Sequence, residues 1–376
     1  MHIEDKIVSW FIRNIILPRN EIIDNPGFII LKISKEKDIT NLREILIPEY
    51  IIAEIEKIVV EKYKEIGKQI LYSIGKKFGY EFALASYYPH TKNEKEFTSF
   101  SYFLVRYLEA IYADKITHEI DFKNKKFILK SWNWIVCNKN GLGFIFSDGT
   151  ASGMLAYAFQ DHSIEGVQTR CQGRGDEYCE ILCAPESYLK DIGINFLKER
   201  DLLGLEINRK VYNDMNKIRS SYYAKNSLRS LLDMRSITYV HGKIEYKGER
   251  LLLIESSIMY ILEKELKKLE NGLKILWDIS FDWGKELSKK AGKQDPAKFI
   301  MDFFPALGFG DIFVKKNPWR VLVNYFPWTK WADEIDFVIF RGIFSGIITE
   351  LSGKVVNLKK FKKNISSQGF SIIIEE

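Results

Sequence analysis

The chain of 376 residues is long enough for two domains of ordinary size, each with its own core. Apolar residues at 46% and charged residues at 28% exclude a disordered chain, and a net charge of +6 is too small to argue for nucleic acid. No run approaches the roughly 18 uncharged apolar residues of a membrane span, and Glu4, Asp5, Lys6 and Arg13 interrupt the start where a secretion signal would be apolar, so a cytoplasmic protein is expected.

Residues 1–18 place Ile7, Trp10, Phe11 and Ile15 at helical spacing, which predicts a short amphipathic helix ended by Pro18. Asn25-Pro26-Gly27 makes a turn before a β-rich run over 28–33. After Ile45-Leu46-Ile47-Pro48 the pattern predicts one long helix over about 49–86, with Ile51, Ile52, Ile55, Ile58 and Val59 recurring at three and four residues. Gly67, Gly75 and Gly79 lie on it. Each costs roughly 1 kcal/mol against Ala inside a helix, so close packing of a second helix is the expected reason for them.

A further helix is expected over 97–113. Residues 119–137 read as two strands joined at Lys123-Asn124-Lys125-Lys126, the second carrying Trp132 and Trp134 on one sheet face. The small residues from Ser147 to Gly153 then open an apolar helix over 149–159.

Three of the four cysteines crowd into 171–183. In Cys171-Gln172-Gly173-Arg174-Gly175-Asp176-Glu177-Tyr178-Cys179 the two glycines let the chain turn and bring its cysteines together. Such a cluster reads either as a metal site or as buried thiols in a reducing compartment. Arg170 and Arg174 flank it, but His162 stands alone and no Cys-His-Asp arrangement is evident, so no catalytic residue is assigned. The Gly-x-Gly leads into a strand and lacks the strand-to-helix setting of a dinucleotide site.

Glycine thins out and Lys and Arg rise over 186–235, which predicts a helical connector. Beyond it the first half recurs. Leu71, Gly79 and Glu81 have counterparts in Leu276, Gly284 and Glu286, and Leu108 to Ile116 in Phe304 to Ile312. Trp134 matches Trp328, and Ser152-Gly153 matches Ser345-Gly346. The second half has no cysteine; a basic run, Lys354, Lys359, Lys360, Lys362 and Lys363, follows Gly346 and reads as a solvated face, with contact to anionic lipid or nucleic acid as the alternative.

The ordered set of Ser152-Gly153, Glu165-Gly166-Val167-Gln168 and the cysteine loop resembles the 4-vinyl reductase (hydrocarbon-binding) domain. That family shares its fold with small subunits of the TRAPP complex and with NO-signalling ligand-binding domains. The resemblance implies an α+β protein of two tandem copies, each an antiparallel sheet backed by long helices. The copies would span 1–185 and 236–376, joined by the connector at 186–235.

Sensor members of the family hold a structural zinc with three cysteines and a glutamate. Cys171 and Cys179 match two of those positions, whereas Gln168 stands at the glutamate and the remaining cysteine position falls near Phe144. Cys137 and Cys183 are the candidates to replace it. Cys179 and Cys183 would lie about 13 Å apart on an extended strand, which makes joint ligation difficult and leaves buried thiols as the alternative to zinc.

Phe103, Tyr107, Trp132, Trp134, Phe144, Phe146 and Tyr157 fall on elements that surround an apolar cavity in ligand-binding relatives; they either line such a cavity or fill a core. The second half has its own rings in Trp319, Tyr325, Phe326, Trp328 and Phe340. The function implied is non-catalytic binding of a small hydrophobic molecule, aromatic or lipid-like, by a sensor or carrier. The alternative is a TRAPP-like scaffold with a protein partner or a homodimer; no helix-turn-helix or ATPase motif is evident.

Overall fold

The computed structural model describes residues 20–376 apart from 36–37, 87, 203–216, 218, 241, 328–333 and 367–368. The helix expected over 1–18 and the ring of Trp328 lie outside the described residues. The architecture is α+β, with antiparallel sheets and several helices.

The first half opens with three strands, β1 (Asn20–Asn25), β2 (Phe28–Lys35) and β3 (Asp38–Pro48). Helices α1 (Glu49–Ala85) and α2 (Glu94–Tyr112) follow, then the hairpin β4 (Lys115–Asp121) and β5 (Lys126–Trp132). A single turn, α3 (Cys137–Asn140), leads to α4 (Ile145–Phe159) and to the hairpin β6 (Ile164–Arg170) and β7 (Cys179–Pro185). Two short helices, α5 (Glu186–Asp191) and α6 (Leu228–Asp233), are joined by irregular chain among the described residues. Within the helical connector expected over 186–235, the described residues are helical at these two stretches, and 203–216 and 218 lie outside the described residues.

The second half has a similar order of strands and helices. It runs through β8 (Thr238–Val240), β9 (Lys243–Tyr246), β10 (Glu249–Glu255), α7 (Ser257–Leu266), α8 (Gly272–Ala291) and α9 (Pro296–Phe303). It ends with β11 (Asp311–Lys315), β12 (Arg320–Asn324), α10 (Val338–Ser352), β13 (Lys360–Ser366) and β14 (Gly369–Glu375).

One four-stranded sheet has the order β4-β5-β7-β6 and the other β11-β12-β14-β13, the same arrangement of hairpins. The third sheet belongs to both halves, in the order β1-β2-β3-β10-β9-β8. Its centre is the antiparallel β3–β10 ladder, which pairs Ile47 with Leu252 and Glu44 with Glu255.

Helix α1 is not one continuous rod. Lys64 (φ 52°, ψ −126°) breaks it, because a lysine in the left-handed region cannot carry the helix forward. The second half divides at the corresponding place, into α7 and α8.

Glycines set how closely the helices pack. A Cβ on Gly79 would stand 2.1 Å from the Thr150 carbonyl oxygen, and one on Gly153 2.1 Å from that of Lys76. In the second half a Cβ on Gly284 would meet the Ile343 oxygen at 2.2 Å, and one on Gly346 the Phe281 oxygen at 2.1 Å. Backbone thus lies directly on backbone in both the α1–α4 and α8–α10 pairs. A buried ion pair ties α1 to β6, where Lys76 Nζ lies 2.7 Å from Glu165 Oε2 and the Tyr72 hydroxyl also donates to that oxygen at 2.7 Å.

Candidate functional site

Two constellations stand out in the first half, an apolar cavity and a cluster of thiols. The cavity, of about 110 Å³, lies between α2, α4 and the sheet β4-β5-β7-β6, and is walled on one side by Leu252, Ile254 and Glu255 of β10. The second half therefore completes a cavity that otherwise belongs to the first.

Four of the expected ring positions, Tyr107, Trp134, Phe144 and Phe146, line it. Tyr157 does not; its ring lies 5.6 Å from Tyr80 and 4.7 Å from His90. Phe103 sits on α2, but its side chain is outside the described residues.

The expectation that Trp132 and Trp134 share a sheet face is overturned. Strand β5 stops at Trp132, and Asn133 (φ 56°) turns the chain over. Trp132 stays on the outer side against Tyr178 at 5.5 Å, beneath the Lys115 ammonium, whereas Trp134 enters the cavity wall beside Tyr112.

The polar end of the cavity was not read from the sequence. Glu44 and Glu255, both buried and directly paired across the β3–β10 ladder, are the charged side chains in its lining. Burial, reinforced by the charge of Glu255, raises the Glu44 carboxyl well above the usual carboxylate range. Glu255 is bonded to the start of α7, accepting from Ser257 N at 3.1 Å and from the Ser256 hydroxyl at 3.3 Å. By contrast, Glu44 Oε1 and Trp134 Nε1 are buried with no hydrogen-bond partner among the described residues. Tyr88, Tyr107 and Tyr112 gather around Glu44, and burial raises each of their hydroxyl pKa values. A lone acid at one edge of each apolar run, Glu44 before 45–47 and Glu255 after 251–254, was the signal available in the sequence.

The thiol cluster is built by two turns. Val136 (φ 72°) redirects the chain into α3 and places Cys137 at its start. After β6, Cys171 is followed by a tight turn in which Gly175 (φ 96°) takes the left-handed conformation, and β7 begins at Cys179. Asp176 steadies the loop by accepting from Cys171 N at 2.7 Å.

The sulfurs of Cys137, Cys171 and Cys179, all buried, lie within 4.8 Å of one another. Zn–S bonds of about 2.3 Å place the thiolates of a tetrahedral site roughly 3.8 Å apart, so the trio fits zinc after a small contraction. Hydrogen bonding from Cys137 holds the Cys171 thiol well below the ordinary thiol range, and the same contact pushes Cys137 up. Gln168 presents its amide nitrogen to Cys137 Sγ at 3.3 Å while its oxygen accepts from Phe144 N at 3.1 Å. Gln172 N donates to Cys179 Sγ at 3.4 Å. These bonds stabilise thiolate charge.

Cys183 is not part of the trio. It pairs with Gly166 further along the β6–β7 ladder, and burial raises its thiol pKa strongly. No fourth Cys, His, Asp or Glu joins the three sulfurs among the described residues.

No protein-family model matches the chain, and no curated protein matches it. Among solved structures the chain is similar to the phenol-responsive sensory domain of the transcription activator PoxR, determined with phenol, at 16% sequence identity and a TM-score of 0.37, over 51% of this chain and 94% of that one.

Proposed function

We propose that the chain binds one small apolar molecule in the cavity of its first half and serves as a sensor or carrier. The carrying observation is the pair of orphaned atoms in that lining, Glu44 Oε1 and Trp134 Nε1. A buried donor or acceptor without a partner costs about 1–3 kcal/mol, and an occupant with one polar group on an apolar body removes that cost. An engineered apolar cavity of about 150 Å³ holds benzene, so about 110 Å³ suits a single compact ring better than a long lipid chain.

The same reading takes the chain as two copies of one unit, 1–185 and 236–376, joined through 186–235. The matching strand orders and the equivalent contacts of Gly79 and Gly284 support it. The cysteine loop supports kinship with 4-vinyl reductase domains, and Cys137, Cys171 and Cys179 are proposed to hold a structural zinc.

The test is binding of small aromatic probes, followed by tryptophan fluorescence and calorimetry. Trp134→Phe should weaken binding about 5-fold, the worth of one hydrogen bond of ~1 kcal/mol. Trp132→Phe should leave it unchanged. Equal loss in both variants, or no probe bound by the parent chain, would refute the cavity as a ligand site.

A further inference from the structure

Within that ligand-site reading, the lining itself narrows the chemistry of the occupant. We propose that it is a small protonated amine on a ring-sized apolar body, with Glu44 as its counter-charge and the determinant of its selection.

The charge pattern carries this. Glu44 and Glu255 line the cavity, and among the described residues no Lys, Arg or His does. The neighbouring cation on β3, Arg43, is committed elsewhere, since its guanidinium donates to the carbonyls of Gly27 and Gly308. Glu255 is held by Ser256 and Ser257, which leaves Glu44 Oε1 as the unsatisfied acceptor. Two neighbouring buried acids with no basic partner in the lining oppose each other's ionisation. An ammonium group supplies the missing positive charge and a donor at the same point.

The walls suit a cation as well. Tyr88, Tyr107, Tyr112 and Trp134 surround this end with rings, whose faces attract an ammonium once it is desolvated. The protons balance on either route: a neutral amine takes the proton of Glu44, whereas an amine that enters charged displaces that proton to solvent, and both leave an ammonium beside a carboxylate. The indole N–H of Trp134 can then rest on the π face of the occupant's ring. An apolar or hydroxylic molecule of the same shape gains the packing but not the charge pair.

Calorimetric titration of the full chain at neutral pH with benzylamine, benzyl alcohol and ethylbenzene separates these cases. Benzylamine should bind at least about 10-fold more tightly than either of the others, the span expected of one charge-assisted contact. In Glu44→Gln, which keeps the shape of the side chain, the three affinities should converge. Benzyl alcohol or ethylbenzene binding as tightly as benzylamine to the parent chain would overturn the amine and leave the ligand site standing. A preference for the amine that survives Glu44→Gln would overturn the role of Glu44. Failure of all three to bind would overturn both the amine and the ligand site.

Discussion

Arg43 and Arg250 clasp the two halves together by the same bonds in opposite directions. Arg43 Nη2 donates to Gly27 O at 2.6 Å, in the β1–β2 turn of its own half, and to Gly308 O at 3.0 Å in the other. Arg250 Nη2 donates to Gly242 O at 2.7 Å, in the β8–β9 turn of its own half, and to Tyr112 O at 2.7 Å across the divide. Both arginines are buried on the central strands of the shared sheet.

The two clasps should differ in their effect on binding. Arg250 also donates to Asn133 O at 2.9 Å, beside Trp134, and its strand carries Leu252 and Ile254 into the cavity wall. Arg250→Ala should cost about 3 kcal/mol in urea unfolding and also weaken aromatic probe binding. Arg43→Ala should cost a similar amount with binding intact in the protein that remains folded. Unchanged binding in Arg250→Ala would separate the clasp from the cavity.

Helix contact through glycine makes a sharper stability prediction. Gly79→Ala and Gly346→Ala each drive a methyl group onto a carbonyl oxygen of the facing helix, which cannot yield without parting the pair. Each substitution should cost about 3 kcal/mol, read from the shift in urea midpoint. A loss of only a few tenths would mean that the helices lie further apart than described.

The cysteines divide into three and one. Elemental analysis should find about one zinc per chain, and Cys171→Ser or Cys179→Ser should abolish it. Cys183→Ser should retain the metal, because its sulfur stands outside the trio. Zinc lost from Cys183→Ser and kept in Cys137→Ser would reverse the assignment.

Glu263 gives the pH dependence. Burial pushes its carboxyl up from 4.5 to about 7, although it accepts from Val338 N at the start of α10. The folded state therefore holds this proton where the unfolded chain has released it. The resulting stability is full below about 4.5 and is lost as pH rises to about 7. Unfolding free energy should fall across that window, and Glu263→Gln should flatten the fall. An identical slope in the variant would assign the dependence to other groups.

Much of the architecture was legible because it rests on short-range pattern. Helical spacing marked α1, and glycines at otherwise costly helix positions marked a close crossing. Small residues that recur in the second half, Gly284 and Gly346, make the equivalent backbone contacts. The turn residues of the cysteine loop foretold that Cys171 and Cys179 meet, since a loop with Gly173 and Gly175 needs nothing distant to close.

What tertiary structure decided was which distant groups face one another, and in which direction. The period of two that placed Trp132 and Trp134 together holds only while a strand continues, and Asn133 ends it. Cys137 reaches the other two sulfurs only after Val136 has turned the chain, a change that hydropathy does not record. Glu44 and Glu255 are each a single acid at the edge of an apolar run in the sequence. Antiparallel pairing of β3 with β10 sets them side by side and encloses both, so their charge, their burial and the cavity they line arise from that long-range contact.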